Sequence, residues 1–175
     1  MINMKKYSIK LDETFLDYPD PDSMAVVVIM SGCSHNCPGC QNPLLQKIYE
    51  RSEEEIGQII GKISELCERN DTNKIVLSGG DPLNPSNREL TKQICYYLGK
   101  NGEGNDICIY TGYTYPEVEK MQIDGFKYVK CGRFDKDHMQ ISEKTDDYIQ
   151  FVNKTQNLFD NAGNQLSVDG RFYFN

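Results

Sequence analysis

Between positions 24 and 30 the chain reads "MAVVVIM", an unbroken apolar run rich in β-branched residues. Such a run predicts a strand buried on both faces, as in a parallel sheet. From 52 to about 69 the apolar positions change period. Ile56, Ile59, Ile60, Ile63, Leu66 and Cys67 fall on one helical face. Ser52 precedes them as a cap, and Glu55 completes a capping box. A short strand is predicted at 74–77. The helical pattern returns at 86–98, with Ser86 as cap, Glu89 at the box position, and Leu90, Ile94, Tyr97 and Leu98 inward. Strands at 106–110 and 126–129 flank a short helical segment at 115–120. Strands alternating with helices predict an α/β fold with a parallel sheet covered by helices and right-handed crossovers. Beyond Gly132 the pattern fades. In "QLSVDGRFYF", Asp169-Gly170 predicts a two-residue turn between very short strands.

Length and charge narrow the classes. At 175 residues, 1–175 is expected to form a single domain that can bury a core without disulfides. A net charge of −7 argues against a broad nucleic-acid or anionic-membrane footprint. No apolar run approaches the roughly 18 residues of a membrane span. The opening stretch has no apolar core or cleavage pattern of an export signal, so a cytoplasmic address is expected. The chain has seven cysteines, an odd number. Cys67 and Cys95 fall in predicted helices, Cys108 in a strand and Cys131 at a strand end. All four read as buried, reduced core thiols.

The other three cysteines stand together in "GCSHNCPGC", as Cys33, Cys37 and Cys40. The residues between them are loop formers, which argues against a core role. Structural zinc needs four protein ligands, and His35 is the local candidate for a fourth. A thioredoxin-like pair would use Cys37 and Cys40 and leave Cys33 unexplained. Three soft thiolates also suit an iron–sulfur cluster. A four-iron cluster takes four ligands, so three thiols leave one iron open to a substrate or cofactor. The loop follows the first predicted parallel strand, at the end where such sheets bind ligands.

Cys33-x3-Cys37-x2-Cys40 resembles the cluster motif of radical S-adenosylmethionine enzymes. "GCSHNCPGCQNP", "LSGGDPLNPSNREL", "IYTGY" and the late "VDGRFYF" together resemble the activating proteins of anaerobic ribonucleoside-triphosphate reductase. The resemblance implies a mostly parallel sheet in a small, incomplete (βα) barrel. It implies one [4Fe-4S] cluster on Cys33, Cys37 and Cys40, with S-adenosyl-L-methionine on the open iron. Its cofactor contacts would come from Gln41 and Asn42, from Ser78, Gly79, Gly80 and Asp81, and from Thr111 and Tyr113. Gly79 and Gly80 would offer backbone to the methionine amino group, so bulky side chains there should weaken cofactor binding with iron near normal. Asp81 would orient its loop or cap the segment that follows and not act as acid or base, and Asn84 would fix the "PLNPSN" loop. His35 would shield the cluster, and His138 would lie at the surface. The implied reaction is reductive cleavage of the cofactor and formation of a glycyl radical on the large catalytic subunit of anaerobic ribonucleotide reductase. A flavodoxin-like protein would donate the electron, and residues 82–87 and 165–175 would supply docking surface. The alternatives are a small radical enzyme modifying a peptide or nucleotide, and a non-enzymatic zinc or iron–sulfur module.

Three segments depart from that family: 17–24 ("DYPDPDSM"), Lys130-Cys131-Gly132, and 152–157 ("VNKTQN"). The last two lie where the family closes its cofactor and partner surface. They bear on the substrate and leave the cluster motif intact.

Overall fold

The computed structural model describes residues 2–4, 9–14, 18–21, 24–99 and 102–174, the first two segments by their backbone. Asp17, Asp22, Ser23 and Asn175, which belong to segments singled out above, lie outside the described residues. Ten strands are described: β1 (Ile2–Met4), β2 (Ile9–Thr14), β3 (Ala25–Met30), β4 (Lys74–Gly79), β5 (Asp106–Thr111), β6 (Tyr128–Cys131), β7 (Glu143–Lys144), β8 (Tyr148–Gln150), β9 (Asn157–Asp160) and β10 (Arg171–Tyr173). Three α-helices, α1 (Glu53–Arg69), α2 (Arg88–Leu98) and α3 (Tyr115–Lys120), connect β3 to β6.

The main sheet has the order β1-β2-β3-β4-β5-β6-β9. Its centre, β3 to β6, is parallel. The hairpin β1-β2 and the strand β9 add antiparallel pairs at the two edges. This is a mixed, mostly parallel sheet flanked by helices, as the alternating pattern predicts, and it is consistent with the incomplete (βα) arrangement that the resemblance implies. Val26, Val28, Ile75, Leu77, Ile107 and Ile109 face the helices and join Ile59, Ile63, Ile94 and Leu98 in the larger core. The alternate positions Ala25, Val27, Val76 and Cys108 face the other way, against Ile149, Phe151 and Leu158. The weakly patterned C-terminal region therefore covers the second face of the parallel strands. That burial on both faces is what the continuous apolar run required. It carries a smaller sheet of order β10-β8-β7.

Local details follow the residue chemistry. In α1, Ser52 Oγ accepts from the Glu55 amide and the Glu55 carboxylate accepts from the Ser52 amide, the reciprocal box the sequence indicated. At Asp169-Gly170 both residues take positive φ, +49° and +69°, and Val168 and Arg171 exchange two backbone hydrogen bonds of 2.9 Å. This is the type I′ hairpin turn that an Asp-Gly pair favours.

Four expectations are corrected. Helix α2 starts at Arg88 with Asn87 as N-cap and no side-chain cap bond. Ser86 instead donates to Asn84 Oδ1 at 2.8 Å, so its hydroxyl stabilises the preceding turn. Tyr97 is 54 % exposed rather than inward. Strand β6 begins two residues late, because Phe126 packs into the core as a lead-in beside Gly125, whose φ is +89°. Among the described residues, no helix is long and apolar enough to cross a membrane.

Candidate functional site

Strand β3 ends at Met30, and the chain enters a loop that returns at Leu45 and Gln46. Its neck is closed by two hydrogen bonds, Gly32 amide to Leu45 carbonyl (2.7 Å) and Cys33 amide to Gln46 carbonyl (3.3 Å). The loop after β4 stitches onto the same neck. The Gly80 amide donates to Met30 O at 2.7 Å and the Asp81 amide to Gly32 O at 2.9 Å. Asn87 Nδ2 donates to Gly32 O (3.2 Å) and Asp81 O (2.8 Å), while its Oδ1 accepts from Arg51 (2.6 Å). The thiol-bearing segment is thus tied at its base by backbone before any ligand is considered.

Cys33, Cys37 and Cys40 are each partly exposed and line one cavity. The cavity lies at the C-terminal ends of β3 to β6. Gln41, Asn42, Ser78, Gly79, Gly80 and Thr111 line it too, so the structure brings together most of the residues singled out from sequence. Burial pushes the Cys33 thiol up, the His35 backbone amide at its sulfur counteracts this, and the nearby Asp81, Cys37 and Cys40 raise it further. The Asn42 amide donates to Cys40 Sγ at 3.4 Å. Among the described residues, no three His, Cys, Asp or Glu side chains converge where a single metal ion would sit. His35 Nε2 is engaged by Asp81, which weakens His35 as a fourth zinc ligand. Cys37 does not open a helix, as a thioredoxin-like pair would; the first helical turn downstream is the 3-10 segment Pro43–Gln46. Thiols spread around one cavity fit a cluster that takes one thiolate on each of three irons.

Asp81 is fully buried and organises the site. Its carboxylate accepts from the Leu83 amide (2.7 Å), Thr111 Oγ1 (2.9 Å), the Gly112 amide (2.9 Å) and the His35 ring (2.6 Å). One side chain therefore joins the loops after β3, β4 and β5. It orients, as expected, and Thr111 spends its hydroxyl on Asp81. Tyr113 packs edge-on to the His35 ring at 4.6 Å, and burial and then Asp81 raise its phenol. Asp81 and Tyr113 stand behind the cavity wall rather than on it. Gly112 admits the imidazole, since a Cβ there would lie 2.5 Å from His35 Cδ2.

Two further expectations change. Gly79 has φ +114°, and a Cβ on it would overlap the Met30 backbone; a Cβ on Gly80 would come within 2.5 Å of Leu45 O. A bulky residue at either glycine would disturb the cysteine loop itself, not the cofactor side alone. In 82–87, Pro82, Leu83, Asn84 and Asn87 are buried, which removes this loop as a broad docking surface. Asn84 does fix it, donating to Ser34 Oγ at 3.0 Å and accepting from Ser86. His138 is exposed and pairs with Asp135 at 2.7 Å.

Sequence reasoning missed one wall of the cavity: Tyr110, Lys130, Arg133, Phe134, Val152 and Gln156. The signal was present, because the two late segments that depart from the family pattern supply Lys130, Gly132, Val152 and Gln156. Lys130 is 8 % exposed, with Nζ 3.8 Å from the Tyr110 ring centre.

The four remaining cysteines are buried, and desolvation pushes the thiols of Cys67, Cys95 and Cys131 up to about 12. Brief alkylation of metal-free folded protein near pH 8 should label Cys33, Cys37 and Cys40 first. All seven should label after unfolding, as read by intact mass. Fast labelling of Cys95 in the folded chain would contradict this placement.

A model of the 4Fe-4S single cluster domain matches residues 22–173. The anaerobic ribonucleoside-triphosphate reductase-activating protein of enterobacteria phage T4 is 28% identical over 130 residues, covering 69% of this chain and 77% of that relative. The proteins of the same name from Escherichia coli K12 (30% over 118 residues) and Salmonella typhimurium (32% over 120 residues) each cover 63% of this chain and 74% of the relative. No solved structure matches.

Proposed function

The chain belongs to the 4Fe-4S single cluster domain family and is related to anaerobic ribonucleoside-triphosphate reductase-activating proteins, and from that premise we propose that it is a radical S-adenosylmethionine activase. The observation that carries this reading is the placement of Cys33, Cys37 and Cys40 on one tied loop, around one cavity at the C-terminal ends of the parallel strands. These thiols would hold the cluster and leave one iron for the cofactor. When bound, the cluster would supply the one-electron chemistry for reductive cleavage of S-adenosylmethionine, with a glycine of the partner as the source of the hydrogen atom.

The chain's own residues would prepare that event. Ser78, Gly79 and Gly80 present backbone to the methionine end, held in place by the bonds to Met30 and Gly32. Asp81 fixes the loops of three strands in one arrangement, so little reorganises on binding. His35 and Tyr113 pack behind the thiols and limit water there. Gln41 and Asn42 stand at the exposed rim of the cavity, where cofactor and partner would meet. The partner proposed is the large catalytic subunit of an anaerobic ribonucleotide reductase, and the electron donor a flavodoxin-like protein.

The test mixes reduced, iron-loaded protein, S-adenosylmethionine and the large catalytic subunit of an anaerobic ribonucleotide reductase, without oxygen. A doublet glycyl signal should arise on the large subunit, and deuterium on the target glycine should enter 5'-deoxyadenosine. Robust cofactor cleavage with no glycyl radical would reassign the chain to modification of another substrate. Tightly bound stoichiometric zinc with no recoverable cluster would reject radical chemistry altogether.

A further inference from the structure

We infer that Gln156 is a specificity-determining residue whose Oε1 accepts a hydrogen bond from a neutral N–H or O–H donor on the adenosyl part of the cofactor; the inference rests on the reading above. Gln156 is 7 % exposed and lines the cavity. Its backbone amide donates to Asn153 O at 3.2 Å, which fixes the turn that carries it. Its Nε2 donates to the Gly132 carbonyl at 3.3 Å. That contact settles the orientation of the amide, because a carbonyl needs a donor opposite it. Oε1 is then buried with no hydrogen-bond partner among the described residues. Buried polar atoms are almost always paired, and leaving one unpaired costs stability. An unpaired acceptor fixed on a cavity wall is an acceptor kept for something that enters.

The surroundings define what enters. Tyr110, Phe134 and Val152 line the same cavity and give it apolar surface, and the Lys130 ammonium sits over the Tyr110 ring. A wall that sets aromatic and aliphatic surface beside the cations Lys130 and Arg133, with one oriented acceptor, suits a flat group carrying a donor at its edge. Distance along the sheet chooses the end of the cofactor. The thiol loop leaves β3, whereas Gln156 is held by Gly132, just past β6. With neighbouring strands about 4.8 Å apart, those ends stand about 14 Å apart across the quartet. A cofactor whose methionine end meets the cluster and the β4 glycines therefore carries its nucleoside towards β6. Three donors are available there: the exocyclic amino group of the base and the two ribose hydroxyls.

The experiment measures equilibrium binding to anaerobic, iron-loaded protein. The probes are S-adenosylmethionine and its analogues lacking the base amino group, the 2'-hydroxyl or the 3'-hydroxyl. Wild type should lose roughly fivefold to tenfold in affinity for one of the three analogues. Gln156→Leu should bind the parent cofactor weaker by a similar factor and lose that discrimination. The comparison is a ratio within each variant, so a general loss of stability does not produce it. Tight binding by wild type with indifference to all three donors would mean that solvent satisfies Oε1, and would overturn the assignment alone. Unchanged discrimination in Gln156→Leu would do the same. No binding to fully iron-loaded wild type would overturn the radical S-adenosylmethionine reading together with it.

Discussion

Alanine in place of Cys33, Cys37 or Cys40 is expected to reduce bound iron from about four atoms per chain to near none. On the proposed cluster each thiol would serve a different iron, so no single loss would be covered by the other two. The same change at Cys67 or Cys95 should leave iron content intact. These two thiols lie in the helical core, away from the cavity, and their removal should cost only about 1 kcal/mol of packing. Iron and sulfide analysis with electron paramagnetic resonance after anaerobic reconstitution reads both outcomes. A Cys37→Ala protein with a full, stable four-iron signal would remove the motif from the site.

The second large effect belongs to Asp81. Replacing it with alanine leaves the Leu83 and Gly112 amides, Thr111 Oγ1 and the His35 ring without their shared acceptor. Removing one member of such a buried polar group costs about 3 kcal/mol or more. Chemical unfolding of the metal-free chain should show that loss, and reconstitution should recover far less cluster because the loops after β3, β4 and β5 are no longer joined. Asp81→Asn should fall between. Its amide oxygen still serves the Leu83 amide, while its NH2 faces the Gly112 N–H, donor against donor. A metal-free Asp81→Ala protein as stable as wild type would show that the buried carboxylate is not what organises these loops.

The parallel centre was legible because each element carried a complete local signal. The run at 25–30 is apolar throughout, α1 has both its stripe and its box, and "CSHNCPGC" packs its chemistry into one loop. The edges were not. The hairpin β1-β2 contains "IKLDET", where only Ile9 and Leu11 alternate with polar residues, too short a stripe to read as a strand. The C-terminal region covers a sheet face with scattered residues, Ile149, Phe151, Leu158 and Phe172, brought together only by tertiary contact. Ser86 competed for the cap of α2 and lost to Asn87, since its hydroxyl had a closer partner in Asn84. In the site, residues adjacent in sequence were found and residues adjacent only in space were missed. Asp81 reads as a cofactor contact that orients its own loop, and nothing in "GGDPL" announces that it reaches His35, 46 positions earlier. Gln156 sat in a segment notable only for differing from the family.

The small C-terminal sheet has a consequence for shortened chains. The strand-like stretch from Gln165 onward looks expendable, yet it holds the 150–158 segment from behind. The Leu166 amide donates to Leu158 O, the Leu158 amide to Ser167 Oγ, and the Phe151 amide to Gly170 O, at 2.7–2.8 Å. Arg171 Nε reaches Gln150 Oε1 at 3.0 Å. A chain cut after Asn164 would keep the parallel strands, the helices and the three thiols, but it would release the wall that contains Val152 and Gln156. The three thiols and the wall of Val152 and Gln156 thus depend on different stretches of the polypeptide, and a stop codon in the last dozen positions would separate them.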